Sequence, residues 1–142
     1  MDQMEGFSLY PEAGYDDVVA DVRREWCTAR DRAVGAGMSS GDIWFDPGFG
    51  FNKSARHSLE LLRRFDEFHS LSAWKVTGPS RKSFIGSVDG SPPEGRLGGT
   101  IAACLLGVQR GANVVRVHDV RPVRQALALA RAVTPQESVT DA

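Results

Sequence analysis

Three short stretches of this chain gather the side chains that could do chemistry. Asp46 is followed by Pro47-Gly48-Phe49-Gly50-Phe51. Gly78-Pro79 leads into Ser80-Arg81-Lys82-Ser83. Arg116-Val117-His118-Asp119 comes last. Each has an ordinary reading on its own. Asp before Pro-Gly is common turn chemistry, and Gly48 and Gly50 can simply shape a loop. No P-loop Lys-Ser/Thr follows them at the required spacing. Arg81-Lys82 fits a solvated pair, Arg116 fits a salt bridge to Asp119 or a helix end, and His118 fits a structural histidine. The conjunction is what points to a ligand. Each stretch ends an apolar burst, so one carboxylate, several cations and an imidazole fall at the carboxyl ends of three strands, where α/β proteins bind ligands. A buried Asp46 carboxylate could accept two parallel hydrogen bonds from an amidine-like edge such as a 2-aminopyrimidinone, and an Arg with a His donor suits phosphate. Phe49 and Phe51 offer aromatic walls. A flat heterocycle joined to a phosphate is the ligand this set would take.

The elements that must position these residues follow from periodicity. Asp16 and Asp17 open a helix, acidic at its positive end, with Val18, Val22, Trp26, Ala29 and Ala33 on one face and Gly35 and Gly37 as the stop. Ile43-Trp44-Phe45 reads as a buried strand. Ser54 caps a second helix whose expected inner face is Leu59, Leu62, Phe65, Phe68 and His69. Trp74–Thr77 reads as a second strand, although Lys75 is out of place in a fully buried one. Ser87–Gly95 reads as a loop. A third helix is expected over about Leu97–Arg110, packing through Ile101, Leu105 and Val108, with Gly111 as its cap. Val114–Val117 is the third strand. Arg116 and His118 point to one side of it, and Val115 and Val117 face the helices. Pro122 sits in the first turn of a last helix, with Val123, Leu127 and Ala130 turned inward. Met1–Tyr15 reads as a loop, and residues 135–142 as a disordered tail. Alternating helices and strands imply parallel strands with right-handed crossovers. A three-stranded parallel sheet leaves open edges, so the expected fold is α/β, part of a larger barrel.

Composition narrows the function classes. Among 142 residues, 42% are hydrophobic and 25% charged, with a formal net charge of −1. This is a globular composition with no basic excess for nucleic acid or a membrane surface. No apolar run is long enough to span a bilayer and no signal-peptide pattern occurs, so the expected location is cytoplasmic. Cys27 and Cys104, without a CxxC or Cys/His cluster, read as small buried hydrophobes.

The motifs DPGFGF (Asp46–Phe51), SRKSFIG (Ser80–Gly86) and RVHDV (Arg116–Val120), in this order and spacing, resemble the last three strand ends of the dihydropteroate synthase family. Arg96-Leu97-Gly98-Gly99-Thr100 resembles that family's R-x-x-GT turn into a helix. The resemblance covers about Asp2 to Val133. It implies the C-terminal half of a TIM (β/α)8 barrel, with a partial pterin-binding domain over residues 1–134. The implied reaction displaces diphosphate from a 7,8-dihydropterin-6-ylmethyl diphosphate by the amine of 4-aminobenzoate, giving 7,8-dihydropteroate in folate biosynthesis. The resemblance implies that Asp46, Gly78 and Lys82 bind the pterin, and that Phe51 and Ser83 line the 4-aminobenzoate side. It assigns Arg116 and His118 to the diphosphate, with Lys82, Arg116 and His118 as the catalytic groups. It implies Mg2+ as cofactor, with its ligand in the N-terminal half and no metal ligand in this chain, and a homodimer.

The chain departs from the family pattern at several places. Asp2-Gln3-Met4 stands where Met-His-Met is usual in the fifth strand, Asn52 where a glycine is usual, and Ser58 where an asparagine is usual. Lys75 lies inside the seventh strand. The family's first four strands have no counterpart, so the chain alone is expected to be inactive. Two other readings compete. One is a non-catalytic half-barrel remnant or partner-binding fragment. The other is a corrinoid-linked methyltetrahydrofolate methyltransferase, a pterin barrel not expected to carry SRK together with RVHD.

Overall fold

The computed structural model describes residues 14–135. The expected fifth-strand segment at Gln3-Met4, the Met1–Ala13 part of the expected first loop and the tail from 136 lie outside these residues. In chain order the elements are α1 (Val18–Gly35), α2 (Ala55–Arg63), β1 (Val76–Thr77), α3 (Ser83–Asp89), α4 (Leu97–Gln109), β2 (Val114–Val115) and α5 (Val120–Val133); the expected first strand is reduced to a single bridge, and α3 is an addition to the expected order. Short 3-10 turns lie at Ser40–Asp42, Phe65–Phe68 and Pro93–Gly95.

β1 and β2 run parallel in the register Val76↔Val114 and Thr77↔Val115. The Ile43–Phe45 segment lies on the other side of β1 and contributes one parallel bridge, Phe45↔Lys75. Consecutive segments are therefore parallel neighbours with helices crossing over between them, as in a barrel wall. All three are shorter than expected, and proline explains much of it. The ladder runs through Val76 N–H to Phe45 O (2.7 Å) and Arg116 N–H to Thr77 O (3.0 Å). It then meets Pro47 and Pro79, which have no N–H to continue it. Lys75 is accommodated because its ammonium turns back to donate to Ser72 O at 2.9 Å, while its backbone N–H donates to the Asn113 side-chain oxygen at 2.6 Å.

The core sits between the strand segments and the helices. Phe45, Phe65 and Phe68 are fully buried and pack ring on ring, Phe45 and Phe68 with centroids 4.6 Å apart. Trp26 of α1 meets the Phe45 ring edge-on at 5.5 Å. Asp17 caps α1 by accepting from Val19 and Ala20 N–H, both at 3.1 Å. Ser54 and His57 close a reciprocal box at the start of α2.

Several expectations change. On α2 the buried row is Ser58, Leu61, Leu62 and then Phe65, while Leu59 and His69 are exposed. On α4 the buried row is Thr100, Ala103, Cys104 and Gly107. Val108 is exposed, and Ile101 and Leu105 are only half-buried. Close approach dictates this choice, since a methyl at Gly107 would stand 3.2 Å from Thr77 Cγ2. Leu105 and Val108 instead line the groove toward α5, together with Leu127 and Ala130. The expected loop Ser87–Gly95 begins inside α3, which ends at Gly90 in a left-handed turn (φ +78°). Cys104 is buried as expected, but Cys27 is only half-buried.

Candidate active site

The segment after the first strand position folds back on itself. Asp46 Oδ1 accepts from Gly48 N–H at 2.8 Å. Gly48, Gly50 and Asn52 then take left-handed backbone at φ +72°, +78° and +54°. Every second residue is left-handed, so Phe49 and Phe51 diverge. Phe49 is fully buried and stacks on Phe84 at 5.6 Å, whereas Phe51 stays 54% exposed. Only Phe51 is a wall of the site, and Phe49 belongs to the core. The left-handed backbone at Asn52 explains why glycine suits this position, and asparagine is the side chain that best tolerates it after glycine. Ser58 anchors the loop by accepting from Gly50 N–H at 3.1 Å. Lys53, which the sequence did not single out, clamps it from within. Its half-buried ammonium donates to Gly48 O (3.1 Å) and Phe51 O (2.9 Å), and burial pushes its pKa down.

The second loop is held by α4. Arg81 has a left-handed backbone (φ +59°), a strained state for a long side chain. Its N–H donates to the buried Thr100 Oγ1 at 3.0 Å, its carbonyl accepts from Arg96 Nη1 at 2.9 Å, and its guanidinium pairs with Asp119 at 3.0 Å. The Arg96–Thr100 turn thus has a concrete role: it fixes the backbone from which Ser80 and Lys82 project. Ser83 opens α3 and is exposed.

The ordinary alternative for Arg116, a salt bridge to Asp119, does not form, because Arg81 takes the Asp119 carboxylate. Arg116 is exposed, and among the described residues its guanidinium makes no hydrogen bond or ion pair. It lies against Gly78, where a methyl would come 3.5 Å from Arg116 Nε and Nη2. Two residues on, His118 lies against Ser80, whose hydroxyl is 2.7 Å from His118 Nδ1. Arg116 and His118 therefore share a face, as their spacing requires. Lys82 completes the wall. Its side chain crosses from the second loop to the first, with Nζ 4.8 Å over the Phe51 ring and its stem 3.5 Å from where a Gly50 side chain would begin. Burial lowers the Lys82 pKa. The nearby Asp46 carboxylate opposes this shift, and Arg116 and Lys53 add to it.

Asp46, Gly78, Lys82, Phe51, Arg116 and His118 thus converge on one wall. It is more open than the sequence suggested, since Asp46 is exposed rather than buried. A separate cleft of about 510 Å³ between α1 and α2, lined by Tyr15, Arg56 and Glu60 among others, contains none of them. Chemically, the wall offers one carboxylate acceptor, an uncommitted guanidinium, an imidazole and a cation above an aromatic ring.

Residues 2–118 match the family model described as pterin binding enzyme. The chain is 38% identical over 118 residues to the dihydropteroate synthase of Escherichia coli K12, covering 83% of this chain and 42% of that protein. It is 38% identical over 113 residues to that of Bacillus subtilis 168, covering 80% and 40%. The solved Xanthomonas albilineans dihydropteroate synthase in complex with 7,8-dihydropteroate superposes with a TM-score of 0.84 at 40% identity, over 88% of this chain and 50% of that one. The Thermus thermophilus enzyme in complex with 4-aminobenzoate gives 0.79 at 43% identity, over 85% and 49%. The chain spans less than half the length of the curated relatives it matches, and its parallel α/β wall corresponds to half of their barrel. By sequence and by fold, the chain belongs to the family of pterin binding enzymes and is related to dihydropteroate synthases.

Proposed function

We propose that this chain supplies one wall of a dihydropteroate synthase site. Asp46 accepts hydrogen bonds from the pterin amine and ring nitrogen, Gly78 lets the ring approach the backbone, and Lys82 borders both pterin and 4-aminobenzoate. Phe51 and Ser83 line the 4-aminobenzoate side. Arg116 and His118 hold the diphosphate. In the reaction the aminobenzoate nitrogen forms a bond to the pterin methylene carbon, the carbon–oxygen bond breaks, diphosphate leaves with the electron pair, and the nitrogen gives up one proton to solvent. The protein's contribution is positioning and charge stabilisation. The observation that carries this reading is Arg116, whose guanidinium lies beside Gly78 and makes no hydrogen bond or ion pair among the described residues.

Magnesium is the cofactor the resemblance implies. Among the described residues no group of three or more His, Cys, Asp or Glu side chains could hold an ion. The resemblance places the magnesium ligand in the N-terminal half, so no step is routed through the ion. A homodimer and cytoplasmic location belong to the same proposal.

Calorimetry on the purified chain tests it. Inorganic diphosphate should bind, and Arg116→Ala should weaken it by roughly tenfold or more, the order expected for a lost charged hydrogen bond. A pterin should bind in an Asp46-dependent way. Binding indifferent to both substitutions would overturn the assignment. A second reading is a binding half-barrel without turnover. Pteroate formation by the chain alone would exclude it.

A further inference from the structure

Ser80 has no role in the reading above, yet it makes an unusual pair of contacts. Its hydroxyl oxygen accepts from the His118 backbone N–H at 3.1 Å and stands 2.7 Å from the same residue's ring Nδ1. One oxygen thus ties down both the backbone and the ring of a residue thirty-eight positions away. This closed loop restrains both side-chain torsions of His118.

The proton count then assigns the ring. A serine hydroxyl has one hydrogen and two lone pairs. One lone pair is used by the backbone N–H. If Nδ1 carried the ring proton, the oxygen would have to accept twice, and its own hydrogen would need another acceptor. Ser80 is only 7% exposed, and its oxygen has no other hydrogen-bond partner among the described residues. An unmatched hydroxyl hydrogen there is costly. The favoured arrangement sends the hydroxyl hydrogen to Nδ1 and leaves the proton on Nε2. Nε2 makes no hydrogen bond among the described residues, and His118 is exposed on the face it shares with Arg116.

We propose that Ser80 is a positioning residue that locks His118 as the Nε2–H tautomer, so that the imidazole presents a donor, not a lone pair, to an anionic oxygen beside Arg116. The diphosphate part of this inference rests on the functional reading above, whereas the tautomer part does not. Ser80 acts through His118 and touches no substrate. The sequence carried only the serine of SRK. Its partner became visible when the two strand ends met.

Nitrogen-15 NMR of histidine-labelled chain tests it above the pH at which the imidazole is charged. The wild type should show a protonated-type signal at Nε2 and a bare-type signal at Nδ1, with a bias of at least about tenfold. Ser80→Ala should lose that bias and Ser80→Thr should restore it, with backbone spectra confirming an unchanged fold. A wild type with its proton on Nδ1, or a bias unchanged in Ser80→Ala, overturns the proposal without reference to any variant's activity. Inorganic diphosphate should shift the Nε2 signal, with affinity about fivefold weaker in Ser80→Ala. A retained bias with no diphosphate response overturns the donor role and the functional reading with it, and supports the serine–histidine pairing alone.

Discussion

Lys82 joins more of the site than any other single side chain, and its protonation has a definite sign. Burial lowers its pKa below the ordinary 10.5, Asp46 opposes, and Arg116 and Lys53 lower it further. A lowered folded-state value means that, between that value and 10.5, the unfolded chain binds more protons. Stability should therefore rise with pH across that window, while attraction for an anionic ligand falls. Lysine-selective NMR titration should give a midpoint below 10.5 for Lys82. A midpoint at or above that value would contradict the buried placement. Asn52 is the second informative residue. Its backbone at φ +54° excludes β-branched side chains, so Asn52→Val should cost about 1–3 kcal/mol in denaturant unfolding. An unchanged midpoint would mean that the loop relaxes.

At the scale of elements, the site depends on helix α4 lying close to both α3 and β1. Small residues allow this. A methyl at Gly99 would stand 2.2 Å from Ile85 Cγ2, closer than any side chain could tolerate without moving. Gly99→Ala should therefore cost about 1–3 kcal/mol. It should also disturb the site, because the same helix carries Thr100 to the Arg81 backbone and begins beside Arg96. Thermal unfolding together with diphosphate calorimetry would show both losses at once. A loss of stability with full binding would separate the helix from the loop. Periodicity read the existence of α1, α2, α4 and α5 well. It misjudged the inner face of α4 because hydrophobicity favours Ile101, Leu105 and Val108, whereas the buried row is Thr100, Ala103, Cys104 and Gly107, the last of them packed against Thr77 of β1 with no room to spare for a methyl. It missed α3 because only seven residues, two of them serine, carry too little pattern.

At the scale of the whole molecule, the inner side of the barrel wall is uncovered among the described residues. Trp44 and Trp74 stack there with centroids 5.4 Å apart, yet stay 50% and 45% exposed. The Phe45 and Val114 segments each pair with a strand on one side only among the described residues. Exposed apolar surface beside open edges favours association. The chain should therefore self-associate at micromolar concentrations in sedimentation, with tryptophan emission shifting to shorter wavelength as it does. A sharp, concentration-independent melt of a monomer would oppose this. The thiols give an independent readout of the core. Cys104 is fully buried and its pKa is pushed up to about 11 by that burial, whereas Cys27 is half-buried. Iodoacetamide should label Cys27 in the native chain and Cys104 only after unfolding. Rapid native labelling of Cys104 would mean that the helix layer opens.

The sequence was enough to name the segments and their chemistry. Proline after the first two strand ends, glycine at Gly48 and Gly50 where the loop turns left-handed, and charged residues just beyond apolar bursts are local signals, set by one residue's backbone limits and its neighbours' types. Asp46, Lys82, Arg116 and His118 could therefore be placed on one rim from the order of residues alone. Which partner each would choose could not. Asp119 pairs with Arg81 and so leaves Arg116 open. Phe49 enters the core while Phe51 faces Lys82, and Ser80 reaches His118 across two strand ends. These choices arise from contacts between residues far apart in the chain, where distance, space and competing partners decide and no local periodicity records the outcome.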